Sequence, residues 1–322
     1  MKALVTGGAG CIGTEVVSLL LSQGHSVVLF DLPEQIVRAR GLLPIDTKNL
    51  TIMPGSVLDA DLLKQATQGC DTVFHLAAML GVAHTEGDYL RCWTTNVIGT
   101  KNVCEAAALT RVQRLVFASS SEVYGEPIEN PVHELVPTQG KTNYGVTKMA
   151  SEELLRGYAQ RGYFKVTVCR LFNTYGHGQV RQFVLTKFVW QVINNINPTI
   201  NGDGTQTRSY CFAEDTAKGM ILSLRSIKDY DVFNIGNSND PISLLELASK
   251  IKEIVSPVST IQIRSSEEYH DRVSSREINV RICDTTKAKN LLGFEATIPL
   301  EDGINRINTR RIFYPDWSIH GD

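Results

Sequence analysis

The run Thr6-Gly7-Gly8-Ala9-Gly10-Cys11-Ile12-Gly13 stands between an apolar, strand-like stretch, Lys2–Thr6, and a helical pattern that begins at Ile12. Glycines at 7, 10 and 13 let a chain turn sharply, bring its backbone against a ligand and pack the helix on the preceding strand. The helix N-terminus then presents unpaired N–H groups and a partial positive charge, which suit a dinucleotide pyrophosphate. Asp31, at the end of the next apolar run, completes the pattern. Its carboxylate can accept hydrogen bonds from an adenosine ribose and would repel a ribose phosphate, which favours NAD over NADP. The alternative is a glycine-rich turn with no ligand, and the surrounding strand, helix and acid weigh against it.

The rest of the first half keeps the same rhythm. Candidate strands are Lys2–Thr6, Ser26–Phe30, Leu50–Met53, Thr72–Leu76, Arg114–Ala118 and Lys165–Arg170, and helical patterns lie near Ile12–Gln23, Asp59–Gln68, Trp93–Leu109 and Tyr144–Gln160. The strands are continuously apolar rather than alternating, as a parallel sheet covered on both faces requires. The expected fold is α/β, a doubly wound parallel (Rossmann) sheet. After about Asn173 turn-rich pieces and shorter helices (Phe183–Asn194, Ala213–Ser226, Ser243–Val255) replace this pattern. We expect an NAD-binding domain over 1–173 and a smaller mixed lobe over 174–322, with segments such as Val232–Ile235 returning to the main sheet.

Bulk properties narrow the class. A formal net charge of −2 on 322 residues provides no field to recruit nucleic acid or an acidic membrane. No apolar run is long enough to span a bilayer, and no signal peptide precedes the first strand. The seven cysteines are scattered without CxxC spacing, which suggests free thiols in the cytoplasm and no metal site.

Tyr144 and Lys148 are four apart on a helical stretch and share a face. A free tyrosine titrates near pH ~10 and is a poor base at neutrality. A neighbouring ammonium and an oxidised nicotinamide both favour its phenolate, which can take the proton of an alcohol while hydride leaves the same carbon. The strand before this helix ends in Ser119-Ser120-Ser121-Glu122. Its serines either hydrogen-bond the reacting oxygen or cap the strand end. Glu122 is either a surface acid or a second acid/base.

Taken together, Gly7 to Gly13, His75-Leu76-Ala77-Ala78, Ser119 to Gly125, Tyr144-Gly145-Val146-Thr147-Lys148, Arg170-Leu171-Phe172-Asn173, Gly202 to Arg208 and Asp284 to Lys289 resemble the extended short-chain dehydrogenases/reductases. Within them, the chain is similar to nucleotide-sugar epimerases, dehydratases and decarboxylases. The resemblance implies that Gly7, Gly10, Cys11, Ile12 and Gly13 hold the pyrophosphate and Asp31 the ribose. It puts Ser56 and Val57 at the adenine, although many relatives have Asp in place of Ser56. Ala77, Ala78, Asn96 and Phe172 are expected beside the cofactor. Tyr144 is the base, Lys148 its activator and a holder of the nicotinamide ribose. Ser120 touches the sugar hydroxyl, with Ser121 and Glu122 beside it. Asn173, Arg208, Arg281 and, less directly, Arg272 are expected to grip the diphosphate or the sugar of a nucleotide-sugar substrate. Cys11 replaces a commoner aromatic residue, and the loop Gly176–Gln182, which would border the sugar, is shorter than in many relatives. The family also implies a homodimer built on Trp93–Leu109 and Tyr144–Gln160.

The shared first step of such enzymes is oxidation at carbon 4 of the sugar. Ser121-Glu122 and Arg281 look like those of decarboxylases, whereas Asn143 to Lys148 and His75 to Val82 read more like epimerases. The sequence favours a 4-epimerase narrowly, with a decarboxylase and a dehydratase close behind. A non-catalytic NAD-binding sensor is a distant alternative, disfavoured by the intact Tyr144, Lys148 and Ser120.

Overall fold

The structure is a computed structural model in which residues 1–256, 260, 262–264 and 278–313 are described. Its centre is a seven-stranded sheet. Six strands come from the first half of the chain: β1 (Lys2–Thr6), β2 (Ser26–Asp31), β3 (Leu50–Pro54), β4 (Thr72–His75), β5 (Arg114–Ser120) and β6 (Lys165–Leu171). The seventh, Tyr230–Ile235, arrives from the second half and lies along β6. Every pairing is parallel, and the order is seventh strand, β6, β5, β4, β1, β2, β3. The direction of winding reverses between β1 and β4, the point at which such sheets open a crevice for a ligand.

The register decides the two cores. Leu4 faces Val73 across β1 and β4, and Val73 faces Leu115 across β4 and β5; all three point into one apolar layer with Phe30, Val103 and Phe117. The alternate residues Val5, Phe74 and Val116 point into the opposite layer, packed with Val16, Val17 and Leu20 of the helix Cys11–Ser22. A fully buried side chain of this kind contributes about 1.5–3 kcal/mol, so a one-residue slip that exchanged the faces would be costly. The edge strand β3 leaves Thr51, Ile52 and Pro54 exposed.

One helix departs from the simple pattern. The expected helix Trp93–Leu109 is broken into Tyr89–Trp93, a π-helical turn Thr94–Ile98 and Gly99–Leu109. Asn96 lies in the wide turn and bonds both the N–H (2.8 Å) and the carbonyl (3.0 Å) of Met79, fastening the loop after β4 to the helix. The helix Asn143–Gln160 starts where Thr142 accepts a hydrogen bond from the Gly145 N–H at 3.0 Å.

The second half also builds a separate apolar cluster around Tyr175, Phe188, Ile200, Leu247 and Ile304. Near it lies a mixed three-stranded sheet in which Thr207–Arg208 is flanked by Ile242–Ser243, antiparallel, and Val280–Arg281, parallel. This ladder makes Arg208 and Arg281 direct register partners. The helix Ala213–Leu222 packs on Cys11–Ser22. Among the described residues no helix is long and apolar enough to cross a membrane.

Candidate active site

The glycine turn divides its work among its members. Gly7 sits at φ +70°, and a Cβ there would lie 2.6 Å from the Ala77 nitrogen. A Cβ on Gly13 would come within 2.1 Å of the Gly7 carbonyl. These two positions close the strand–turn–helix junction. Gly10 is different, since its nearest neighbour is the Gly7 oxygen at 3.3 Å. It leaves backbone open at the start of a helix whose first N–H groups have no side-chain cap, the arrangement an anion takes. Asp31 lies beside it. Its carboxylate accepts from the Ala9 N–H (2.9 Å) and the Leu32 N–H (2.8 Å), and burial pushes its pKa up to about 6 against those bonds. The donor turn, the open glycine and the acid together fit NAD. Cys11 points towards the second half of the chain, so that a Cβ on Gly176 would meet its sulfur at 3.2 Å.

The reactive groups gather where β5 ends. Ser120 is its last residue, and its hydroxyl accepts the Glu122 N–H at 3.2 Å, starting a short 3₁₀ turn, Ser121–Tyr124. That turn packs on the first residues of the helix Asn143–Gln160, closely enough that a Cβ on Gly145 would lie 2.7 Å from the Glu122 carbonyl. Tyr144 is half-buried there. Desolvation, with the Glu122 carboxylate second, pushes its hydroxyl well above the usual tyrosine range, and a hydrogen bond with Ser120 opposes them. Lys148 donates to the Ala118 carbonyl at 2.8 Å and lies 5.7 Å from the centre of the Tyr144 ring. Burial lowers its pKa to about 8.

Glu122 has a partner from far along the chain. Its Oε1 accepts from Arg281 Nη2 at 2.8 Å, and its Oε2 from the Thr142 hydroxyl at 3.4 Å. Arg281 is 5 % exposed and Glu122 14 %. The Nε and Nη1 of Arg281 are buried and make no hydrogen bond among the described residues. A buried guanidinium with two unused donors is an unsatisfied site for an acceptor.

Comparison with known proteins decides the family. Residues 3–236 match the NAD dependent epimerase/dehydratase family. The chain belongs to that family. It is 31 % identical over 312 residues to a UDP-N-acetyl-alpha-D-glucosaminuronate decarboxylase of Bacillus cytotoxicus, covering 94 % of this chain and 95 % of that one. It superposes on MoeE5 in complex with UDP-glucuronic acid and NAD with a TM-score of 0.85 at 30 % identity, covering 97 % and 99 % of the two chains. A UDP-glucose 4-epimerase of Thermotoga maritima gives a TM-score of 0.87 at 28 % identity over 97 % and 99 %. Nucleotide-sugar epimerases, dehydratases and decarboxylases all occur among its relatives, so the chain is an enzyme of this NAD-dependent, nucleotide-sugar class.

The remaining residues that the family resemblance brought forward are placed variously. Val57 is buried, and its side chain occupies the space a Cβ on Gly99 would need. Ser56 accepts the Leu58 N–H, and Ala77 and Ala78 are half-buried on the loop after β4. Asn96 is buried, and beyond Met79 its amide donates to the Thr147 hydroxyl at 3.1 Å, so it ties the loop after β4 to the helix Asn143–Gln160. The Phe172 ring is packed against Tyr124, 6.1 Å between centroids. Asn173 adopts φ +29° and leaves its Oδ1 buried without a partner among the described residues. Arg208 donates to the backbone carbonyls of Thr207, Asn279 and Ile278. Ser121 is buried. Arg272 lies outside the described residues. The residue that sequence reasoning missed is Glu152, which continues the spacing of four from Tyr144 through Lys148 and is 3 % exposed.

Proposed function

We propose that the chain oxidises a nucleoside-diphosphate uronic acid at carbon 4 of the sugar and that the resulting β-keto acid loses its carboxylate as carbon dioxide. The observation that carries this reading is the largely buried Glu122–Arg281 pair beside Tyr144, with two donors of Arg281 unused among the described residues. A sugar whose carbon 6 is a carboxylate offers two lone-pair faces to that fork, whereas a neutral hydroxymethyl offers one weaker acceptor. The sequence alone put 4-epimerisation first. The meeting of Glu122 with Arg281 moves decarboxylation ahead of it, and the likeness to a uronate decarboxylase and to a protein binding UDP-glucuronic acid points the same way.

NAD bound on the glycine turn supplies the acceptor of the hydride from carbon 4. Tyr144 takes the proton of the 4-hydroxyl, with Ser120 hydrogen-bonded to the same oxygen. Lys148 holds positive charge near the phenolate. Once the carbon 4 ketone exists, the bond from carbon 5 to the carboxylate breaks, and its electron pair passes into the enolate. Carbon 5 then takes a proton from solvent beside the Glu122–Arg281 pair, and the hydride removed in the first step would return to carbon 4 as Tyr144 gives its proton back to the oxygen, leaving a pentose and the cofactor as it began.

The second reading, 4-epimerisation, is favoured by the likeness to a UDP-glucose 4-epimerase. Mass spectrometry after incubation with UDP-glucuronate, UDP-N-acetylglucosaminuronate and UDP-glucose separates the outcomes. Loss of carbon dioxide supports the proposal, an isomer of unchanged mass selects the epimerase, and loss of water selects a dehydratase. We further propose a homodimer that covers Leu90, Ile98 and Leu109, all exposed on the π-turn or the segments flanking it, and a cytoplasmic setting, which suits seven free cysteines.

A further inference from the structure

Glu152 lies on the same helical face as Tyr144 and Lys148. Its Oε1 accepts from the Ser119 hydroxyl and from Arg170 Nε (3.1 Å), and its Oε2 from Arg170 Nη2 (2.7 Å). Arg170, buried on β6, also donates through Nη1 to the Tyr124 hydroxyl at 3.0 Å. Tyr124 closes the turn that carries Glu122, and it donates in turn to Asn234 Oδ1 at 2.7 Å. Ser119 stands between Ala118, whose carbonyl holds Lys148, and Ser120, which bonds Tyr144. One carboxylate thus joins the helix of the base, the strand end of the serines and the turn of Glu122. A buried ion pair is weak evidence for stability, because apolar replacements often do as well. A two-pronged guanidinium–carboxylate contact does fix direction and distance.

We propose that Glu152 is a positioning residue of the active site: clamped by Arg170 and Ser119, it sets the spacing between Tyr144, Lys148 and the Ser120–Glu122 turn, and it is the negative charge that faces the Lys148 ammonium. The titratable groups around Lys148 are Tyr144 and Glu152 on its own helix, Cys92 from Tyr89–Trp93 and His75 from β4. Burial raises the Cys92 thiol and lowers His75 to about 3, so both are neutral near pH 7. Tyr144, raised by burial, is neutral as well. Cys92 and then Glu152 oppose the burial that brings Lys148 down to about 8, and Glu152, paired with Arg170, is the carboxylate of the two.

This inference rests on the sugar oxidation proposed above, and two variants test it. Glu152→Gln keeps the shape and removes the charge; Ser119→Ala breaks one bond and leaves the charge. In Glu152→Gln we expect NAD binding and KM to hold, kcat to fall about 100-fold, as for a misplacement of about an ångström, and the alkaline limb of the kcat profile to move to lower pH. Ser119→Ala should lower kcat less and leave the limb in place. Unchanged kcat and limb in Glu152→Gln overturn the proposal. So does a loss of NAD binding, KM and kcat together that tracks the unfolded fraction. If Glu152→Gln does not fold, the paired variant Glu152→Gln/Arg170→Gln removes the neutral pair whole, and a fall in kcat at unchanged KM is required of it; unchanged kcat overturns the proposal. A wild-type protein inert towards every nucleotide sugar refutes the function and not the positioning. The positioning is then read from unfolding, since in the variant the stability gained as Lys148 loses its proton must begin below pH 8.

Discussion

Replacing Lys148 with methionine should remove a burden from the fold as well as abolish turnover. Lys148 is 2 % exposed, and burial brings its pKa from 10.5 down to about 8. At 1.36 kcal/mol per pH unit that interval corresponds to about 3 kcal/mol. Between pH 8 and 10.5 the unfolded chain still binds the proton that the folded chain has released, so stability rises with pH across the window, and the whole penalty is present below it. The substitution also forfeits the bond to the Ala118 carbonyl, and a hydrogen bond from a charged donor contributes about 1.5–3 kcal/mol. The two effects nearly cancel at neutral pH, leaving the variant equal to the wild type or up to about 2 kcal/mol more stable. The pH dependence is therefore the sharper readout. Urea unfolding of the NAD-free protein should show the variant's stability, relative to wild type, falling by about 3 kcal/mol from pH 7.5 to 10.5, or about 6 °C in melting temperature at roughly 2 °C per kcal/mol. A difference that stays flat over that range refutes the reasoning, because it means that Lys148 titrates alike in the folded and unfolded chains.

Tyr144→Phe should lower turnover by about 100-fold to 10,000-fold, the usual reach of a proton-transferring side chain, while NAD fluorescence titration shows unchanged binding; surviving activity would assign the base elsewhere. Gly10→Ala should fold with a near-normal melting temperature and bind NAD more weakly, because only a 3.3 Å contact greets the new methyl. Gly13→Ala should fail to fold or melt far lower, since its methyl would lie 2.1 Å from the Gly7 carbonyl. Equal behaviour of the two alanine variants, by melting and titration, counts against the division of labour within the turn.

What the sequence revealed follows from how local each signal is. The strand, the glycine turn, the helix and Asp31 are contiguous or nearly so, and each glycine answers a steric demand set by its own neighbours. The six strands of the first half were legible because each is an unbroken apolar run, and the structure moves their ends by one or two residues. The break at Thr94–Ile98 was not, because its cause is the pair of bonds from Asn96 to Met79, seventeen residues away. Glu122 and Arg281 were each legible as reactive types, but their contact spans 159 residues and depends on the ladder that sets Arg281 beside Arg208. Glu152 and Arg170 were silent as a pair. In sequence one is a helical acid and the other a strand residue, and only the packing of the helix across β5 and β6 joins them.

The choice of substrate now turns on Arg281. Its Nη2 is committed to Glu122, and its Nε and Nη1 are buried without a bond among the described residues. Leaving such donors desolvated costs about 1–3 kcal/mol each, a price that a ligand carboxylate can lift on binding. If it does, Arg281→Met should lower kcat/KM for UDP-glucuronate by about 10-fold to 150-fold, the equivalent of 1.5–3 kcal/mol for a hydrogen bond to a charged group. Turnover of UDP-glucose, which has no carboxylate at carbon 6, should change far less. The variant also leaves the Glu122 carboxylate without its cation, so stability must be measured beside activity, and the paired variant Glu122→Gln/Arg281→Met should recover part of any loss in melting temperature. Equal losses with both sugars would show that Arg281 acts on the part they share, the diphosphate or the ring, and the uronic acid assignment would fall while the oxidation at carbon 4 stood.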